Sequence, residues 1–189
     1  MKKTILVVLF AALGATALFA FNANGKTPIP PVAHVDLPRF MGDWYVIANI
    51  PTFVERESYD AVESYAMRED GRIQTTFRQR KGGFDAPIKT MRPVGTVRPG
   101  TQNAVWGMQF VWPIKADYRI SYLSSDYGQT IIARDQRDYV WIMARTPFLT
   151  DGEYQQLVQR VTEMGYDPAK LRKVPQRSPA PARAHGSAQ

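Results

Sequence analysis

The chain has 189 residues, 44% hydrophobic and 22% charged, with a formal charge of +7 and no cysteine. This suits one globular domain with a sizeable core, and the missing cysteine excludes disulfides, thiolate metal sites, a thiol nucleophile and a cysteine-linked lipid anchor. Without Lys2 and Lys3 there remain 22 basic against 17 acidic residues, and Arg68, Arg72, Arg78, Arg80, Lys81, Arg92 and Arg98 are spread among predicted strands, a solvated basic surface that suits peripheral contact with an anionic membrane better than nucleic acid.

Residues 1–23 read as an export signal, with Lys2 and Lys3, an apolar run from Ile5 to Phe21, then small residues at Ala20 and Ala23. The run of about 17 apolar residues is also near the short limit of a spanning helix, so an uncleaved anchor is the alternative. Residues 24–35, with Pro28, Pro30 and Pro31, read as a proline-rich linker. The barrel is expected over 36–175. Its first strand opens at Gly42-Asp43-Trp44, and alternation puts Trp44, Val46 and Ala48 on one face and Tyr45, Ile47 and Asn49 on the other. A large aromatic there suits the floor of a barrel.

Ser58 to Met67 and Arg72 to Arg80 form a hairpin through Glu69-Asp70-Gly71, because Asp-Gly supplies the positive backbone angles such a turn needs. Ile73, Thr75 and Phe77 share a face. Lys89 to Arg98 is a strand interrupted by Pro93, Asn103 to Val111 carries Trp106, Met108 and Phe110 at alternate positions, and Trp112-Pro113 ends that strand. Asp117 to Leu123 aligns Tyr118, Ile120 and Tyr122. Tyr127 to Arg134 follows, and Asp138 to Arg145 aligns Tyr139, Trp141, Met143 and Arg145.

Eight strands with short connections predict an all-β fold, an eight-stranded antiparallel up-and-down β-barrel (a calyx) able to hold one small ligand. One helix is expected at about 151–164: Thr150-Asp151-Gly152-Glu153 is a capping box, and Tyr154, Leu157, Val158, Val161 and Met164 form one apolar stripe that should lie on the outside of the barrel. Residues 176–189, rich in proline, alanine and serine, are expected to be disordered.

On these residues the chain resembles the lipocalins, and most closely their bacterial outer-membrane and apolipoprotein D branch. Gly42-Asp43-Trp44 matches the family's first motif. Ser125-Asp126-Tyr127 matches its second, with serine for threonine, and Arg145 at the end of Asp138 to Pro147 matches its third. The resemblance implies that Gly42, Trp44, Asp126, Tyr127 and Arg145 are structural markers that do not specify a ligand, and that Arg145 covers Trp44. Many of the bacterial members are tethered through a cysteine after the signal, and its absence implies an exported protein, periplasmic or secreted, with a membrane-anchored form as the alternative.

The function implied is binding, transport or storage of a small lipophilic ligand, a fatty acid, lysophospholipid or similar, in a bacterial cell envelope. By strand parity the wall candidates are Val46, Ala48, Glu63, Tyr65, Ile73, Phe77, Trp106, Met108, Phe110, Tyr118, Ile120, Tyr122, Ile131, Ala133, Tyr139, Trp141 and Met143, about a third of them expected to be solid core. No metal or cofactor is expected, nor an enzymatic role, since no nucleophile–base spacing occurs and His34 and His185 lie outside the barrel. A lipocalin-fold enzyme acting on a lipophilic substrate, or a haem or pigment carrier, is the competing reading. The expected state is a monomer or weak homodimer. Within the aromatic interior Glu63 needs water, an internal partner or a ligand headgroup.

Overall fold

The structure, a computed structural model, describes residues 27–111 and 114–177, and the side chains among these except at positions 110, 111, 114 and 115. The expected signal at 1–23, the start of the linker, Trp112-Pro113 and residues 178–189 lie outside the described residues.

The described chain enters through a short helix α1 (Leu37–Phe40), capped by Asp36, and strand β1 (Gly42–Ile50). The strands that follow are β2 (Ser58–Met67), β3 (Ile73–Lys81), β4 (Ile88–Met91), β5 (Val94–Val97), β6 (Val105–Val111), β7 (Ile114–Leu123), β8 (Gln129–Ala133) and β9 (Val140–Ala144). Pro93 cannot donate to a ladder, and it divides one wall position into β4 and β5, both of which pair with β3. Each strand runs antiparallel to its neighbour, and β9 pairs back onto β1, so eight wall positions close into a barrel. Closure leaves no sheet edge in that wall.

Two apolar groups hold the fold. The inner one includes Phe40, Trp44, Tyr65, Trp106, Ile120, Ile132 and Met143. The outer one joins Ile47, Ala48, Ile131, Ile142 and Ala144 of the wall to Leu157 and Val161 of helix α2 (Asp151–Glu163). The helix begins where expected because Thr150 and Glu153 cap each other: Glu153 N–H donates to Thr150 Oγ1 at 3.3 Å, and Thr150 N–H to Glu153 Oε2 at 2.8 Å. A two-residue strand β10 (Arg172–Lys173) then pairs with β1.

The described part of the linker is no free spacer. Ile29 and Val35 are buried, and Val32 N–H donates to Ile120 C=O, so this segment covers β7 where β6 has ended. Its apolar residues find places in both groups, and that burial offsets the ordering of the backbone. Order also extends beyond 175: Gln176 donates to Val46 and Ala61 carbonyls, and Arg177 N–H to Asp60.

Four register shifts interrupt the ladders among the described residues. One extra residue in β1 between Val46 and Ala48, one in β7 between Ile120 and Tyr122, one in β2 between Tyr59 and Val62 and one in β6 between Gln109 and Val111 each break the two-residue alternation.

Candidate functional site: an aromatic floor and the cavity above it

The closed end is built from the three motif regions. The Arg145 guanidinium lies 3.9 Å from the centre of the Trp44 ring, and its nitrogens donate to the carbonyls of Asp43, Arg39, Phe40 and Met41 at 2.8–3.0 Å. Trp44 Nε1 donates to Phe40 C=O at 2.9 Å. Gly42 adopts φ +94°, and a Cβ there would stand 3.4 Å from Arg145 Nη1, so glycine serves both the turn and the close approach. Arg145 N–H reaches Gly128 C=O at 2.9 Å, Tyr127 accepts from Asp36 N–H at 2.9 Å, and the Arg39 guanidinium lies 4.0 Å from the Tyr127 ring centre. The Ser124 hydroxyl and Gly128 N–H, both donating to Asp126, hold that carboxyl below the usual range.

Above Trp44 the rings continue. Phe40 meets Trp44 and Trp106 at 4.9 and 5.5 Å, Tyr65 meets Trp106 at 5.5 Å, and Trp106 stacks on Tyr118 at 5.0 Å with 11° between planes. With Val46, Ile120 and Met143 also fully buried, this half of the barrel is solid.

Toward the other end the wall residues no longer meet, leaving a cavity of about 530 Å³. Its apolar lining comes from Val54, Phe77, Met91, Pro93, Met108, Ala116 and Trp141, with Thr75, Tyr118 and Glu63 among the polar groups and the cations Arg92 and Arg134. A 3₁₀ turn at Phe53–Glu55 contributes Val54 and Glu55 at the mouth.

Glu63 accepts the Tyr65 hydroxyl, which also meets that of Tyr118. Glu63 is half-buried on the cavity wall. Desolvation pushes its pKa from 4.5 up to about 7, with the Tyr65 hydrogen bond pulling the other way and Glu55 adding a smaller push upward. Burial and the neighbouring carboxyl also hold both tyrosine hydroxyls well above their ordinary value.

Residues 35–176 match the model of the lipocalin-like domain. The chain belongs to the lipocalin family, whose members bind or transport small hydrophobic ligands. It is 30% identical to temperature-induced lipocalin-1 of Arabidopsis thaliana, across 82% of this chain and 87% of that protein, and 29% identical to the outer membrane lipoprotein Blc of Citrobacter freundii, across 87% and 94%. Among solved structures, insecticyanin from the tobacco hornworm Manduca sexta superposes with a TM-score of 0.59 over 77% of this chain and 83% of that one; at 16% identity the likeness is one of fold.

In this lipocalin Glu63, Phe77, Met108, Tyr118 and Trp141 line the cavity, as parity predicts. Val46, Tyr65, Ile73, Trp106, Ile120 and Met143 point inward but belong to the solid floor. Ala48, Tyr122, Ile131 and Ala133 correct the parity reading, since they face outward beneath α2 and the lead-in. The extra residue in β1 turns Ala48 out and Asn49 in, and the one in β7 does the same for Tyr122 and Leu123. On β8 it is Ile132 that points inward, because its partner across the ladder is Ile120. Tyr139 precedes β9 and sits outside the cavity lining, its ring 5.2 Å from the Arg134 guanidinium. The side chain of Phe110 lies outside the described residues. Six of the lining residues that alternation missed, Thr52, Val54, Glu55, Met91, Arg92 and Arg134, sit on turns, at the Pro93 break or just past a strand end. Only the position of Pro93 signalled any of these.

Proposed function

We propose that this lipocalin binds and carries a single-chain amphipath, a fatty acid, lysophospholipid or similar molecule, with the chain in the cavity and an anionic head toward Arg92 and Arg134. One observation carries the reading: a cavity of about 530 Å³ whose lining is largely apolar and whose two cations are exposed Arg92 and a half-buried Arg134. Such a volume is in the range of small-ligand sites. Each 100 Å² of chain surface removed from water contributes about 2.5 kcal/mol before association costs.

The leader pattern at 1–23 supports export to an envelope or the medium, and among the described residues no helix is long and apolar enough to cross a membrane. Around the mouth, Phe53 is 71% and Ile88 57% exposed, with the Arg56 guanidinium 5.4 Å and the Lys81 ammonium 5.8 Å from the Phe53 ring centre. An apolar tip ringed by cations suits exchange of ligand at an anionic bilayer by a monomer or weak homodimer.

The test is a titration of purified protein with fatty acids and lysophospholipids, followed by tryptophan fluorescence, for which Trp141 on the cavity wall is the reporter. Saturable one-to-one binding, weakened by Arg92→Ala for anionic heads more than for uncharged ones of the same chain, is expected. Absence of saturable binding by any single-chain lipid would sink the reading.

A further inference from the structure

The inner end of the cavity is not as apolar as its walls. Thr75 and Phe77 on β3 face Tyr65 and Glu63 on β2 across the ladder, so all four project inward from one strand pair. The Thr75 side chain is buried, lines the cavity and has no hydrogen-bond partner for its hydroxyl among the described residues. A buried hydroxyl without a partner is costly, where valine would fill much the same shape without that penalty.

The hydroxyl hydrogens beside it are already spoken for. Tyr65 has one, and it goes to Glu63; the Tyr65–Tyr118 contact therefore takes its hydrogen from Tyr118. Only one of the two Glu63 oxygens is engaged among the described residues, so the other oxygen and Thr75 Oγ1 remain for whatever enters.

We propose that Glu63, Thr75 and Tyr118 form a hydrogen-bonding subsite at the inner end of the cavity that receives an uncharged hydroxyl on the far end of the ligand's chain. This rests on the reading of the cavity as a lipid site and narrows it to chains that carry oxygen at both ends. A hydroxyl offers one donor and two acceptor positions. Beside an ionised Glu63 it donates to the free carboxylate oxygen and accepts from Thr75; beside a protonated Glu63 it accepts from that carboxyl and from Thr75 and donates to the Tyr118 oxygen, whose own hydrogen is spent on Tyr65. A carboxylate in the same place would face Glu63, with Glu55 as a second like charge, in a poorly solvated space. The anionic end is thus directed to Arg92 and Arg134, and the hydroxyl end inward.

The experiment compares saturated fatty acids of ten to sixteen carbons with their terminally hydroxylated and terminally aminated counterparts, by tryptophan-fluorescence titration of the full mature chain at pH 6. In a purely apolar cavity the added hydroxyl weakens binding, because it loses water without gaining a partner. The subsite predicts the reverse at the chain length that spans the cavity, with the hydroxylated acid tighter by about fivefold. Thr75→Val should take that ratio to one or below, and Tyr118→Phe should lower it, with thermal melts recorded to show that both variants are folded. A wild-type ratio of one or less at every length, a ratio unchanged in both variants, or a stronger preference for the aminated chain would each overturn the subsite. Plain acids binding tightly with no gain from the hydroxyl would remove the subsite alone. Failure of every acid to bind would remove the lipid-site reading with it.

Discussion

Glu55, on the 3₁₀ turn at the cavity mouth, accepts the indole N–H of Trp141 on the wall at 2.7 Å. The turn is held at two further points. Glu55 Oε2 accepts from the backbone N–H of Thr52 at 3.1 Å, and Gln79 Nε2 donates to Val54 C=O at 3.1 Å while its oxygen accepts from Ser58. Phe53 stays exposed, while Val54, half-exposed, lines the mouth of the cavity. A turn fastened to the wall by a charge-assisted hydrogen bond can govern how fast a ligand enters and leaves.

Trp141→Phe leaves an aromatic ring at the site but removes this donor, at a local loss of about 1.5–3 kcal/mol. Ligand dissociation measured by stopped-flow fluorescence with an environment-sensitive fatty acid should accelerate by about fivefold or more. An unchanged rate would mean that the turn does not gate the cavity.

Arg145→Ala should lower stability by about 1–3 kcal/mol in urea denaturation, because Trp44 loses its cover and the backbone carbonyls of Arg39, Met41 and Asp43 lose their guanidinium donors. Arg145→Lys should recover little of it, since an ammonium cannot reach several carbonyls and lie flat over a ring at once. Ligand affinity should change less than stability, as the floor separates Arg145 from the cavity. Lost binding with a wild-type melting temperature would contradict this.

Glu63 makes stability depend on pH in the direction opposite to an ordinary ion-paired carboxylate. Its folded pKa of about 7 lies above the unfolded 4.5, so the folded state holds the proton more tightly. The resulting stabilisation is fully present below pH 4.5 and is lost as pH rises through 7. The full effect is at most about 3 kcal/mol, less where cavity water reaches the carboxyl. Glu63→Gln cannot titrate there, so the wild-type melting temperature should fall relative to the variant between pH 5 and pH 8. Parallel curves would show that the carboxyl is solvated.

Phe53→Ser should weaken binding to vesicles containing anionic phospholipid by about threefold to tenfold, with no loss of thermal stability, since this side chain is 71% exposed. Neutral vesicles should bind either protein poorly, and raising salt should weaken wild-type binding. Equal sedimentation of both proteins with anionic vesicles would exclude Phe53 from any membrane contact.

Much of this protein is determined locally. The strand order, the helix from Asp151 with its Thr150 cap, and the motif residues Gly42, Trp44 and Arg145 are legible because each rests on near neighbours in sequence: alternation, a capping pair, a turn glycine, an aromatic at a strand start. Tertiary structure alone decides which side of the wall a residue lines. Alternation holds only while the ladder is unbroken, and a single extra residue in β1 or β7, invisible in composition, moves Ala48 and Tyr122 from the interior to the face beneath α2. Where solid floor gives way to cavity is likewise a matter of volumes summed across strands: Trp106 and Tyr118 stack and fill the section below, while Ala116, Thr75 and Met108 leave the section above open. The partner of Glu63 is decided there too, because Tyr65 stands two residues along the same face and Tyr118 comes from a strand 53 residues away from it, brought alongside only by closure of the barrel.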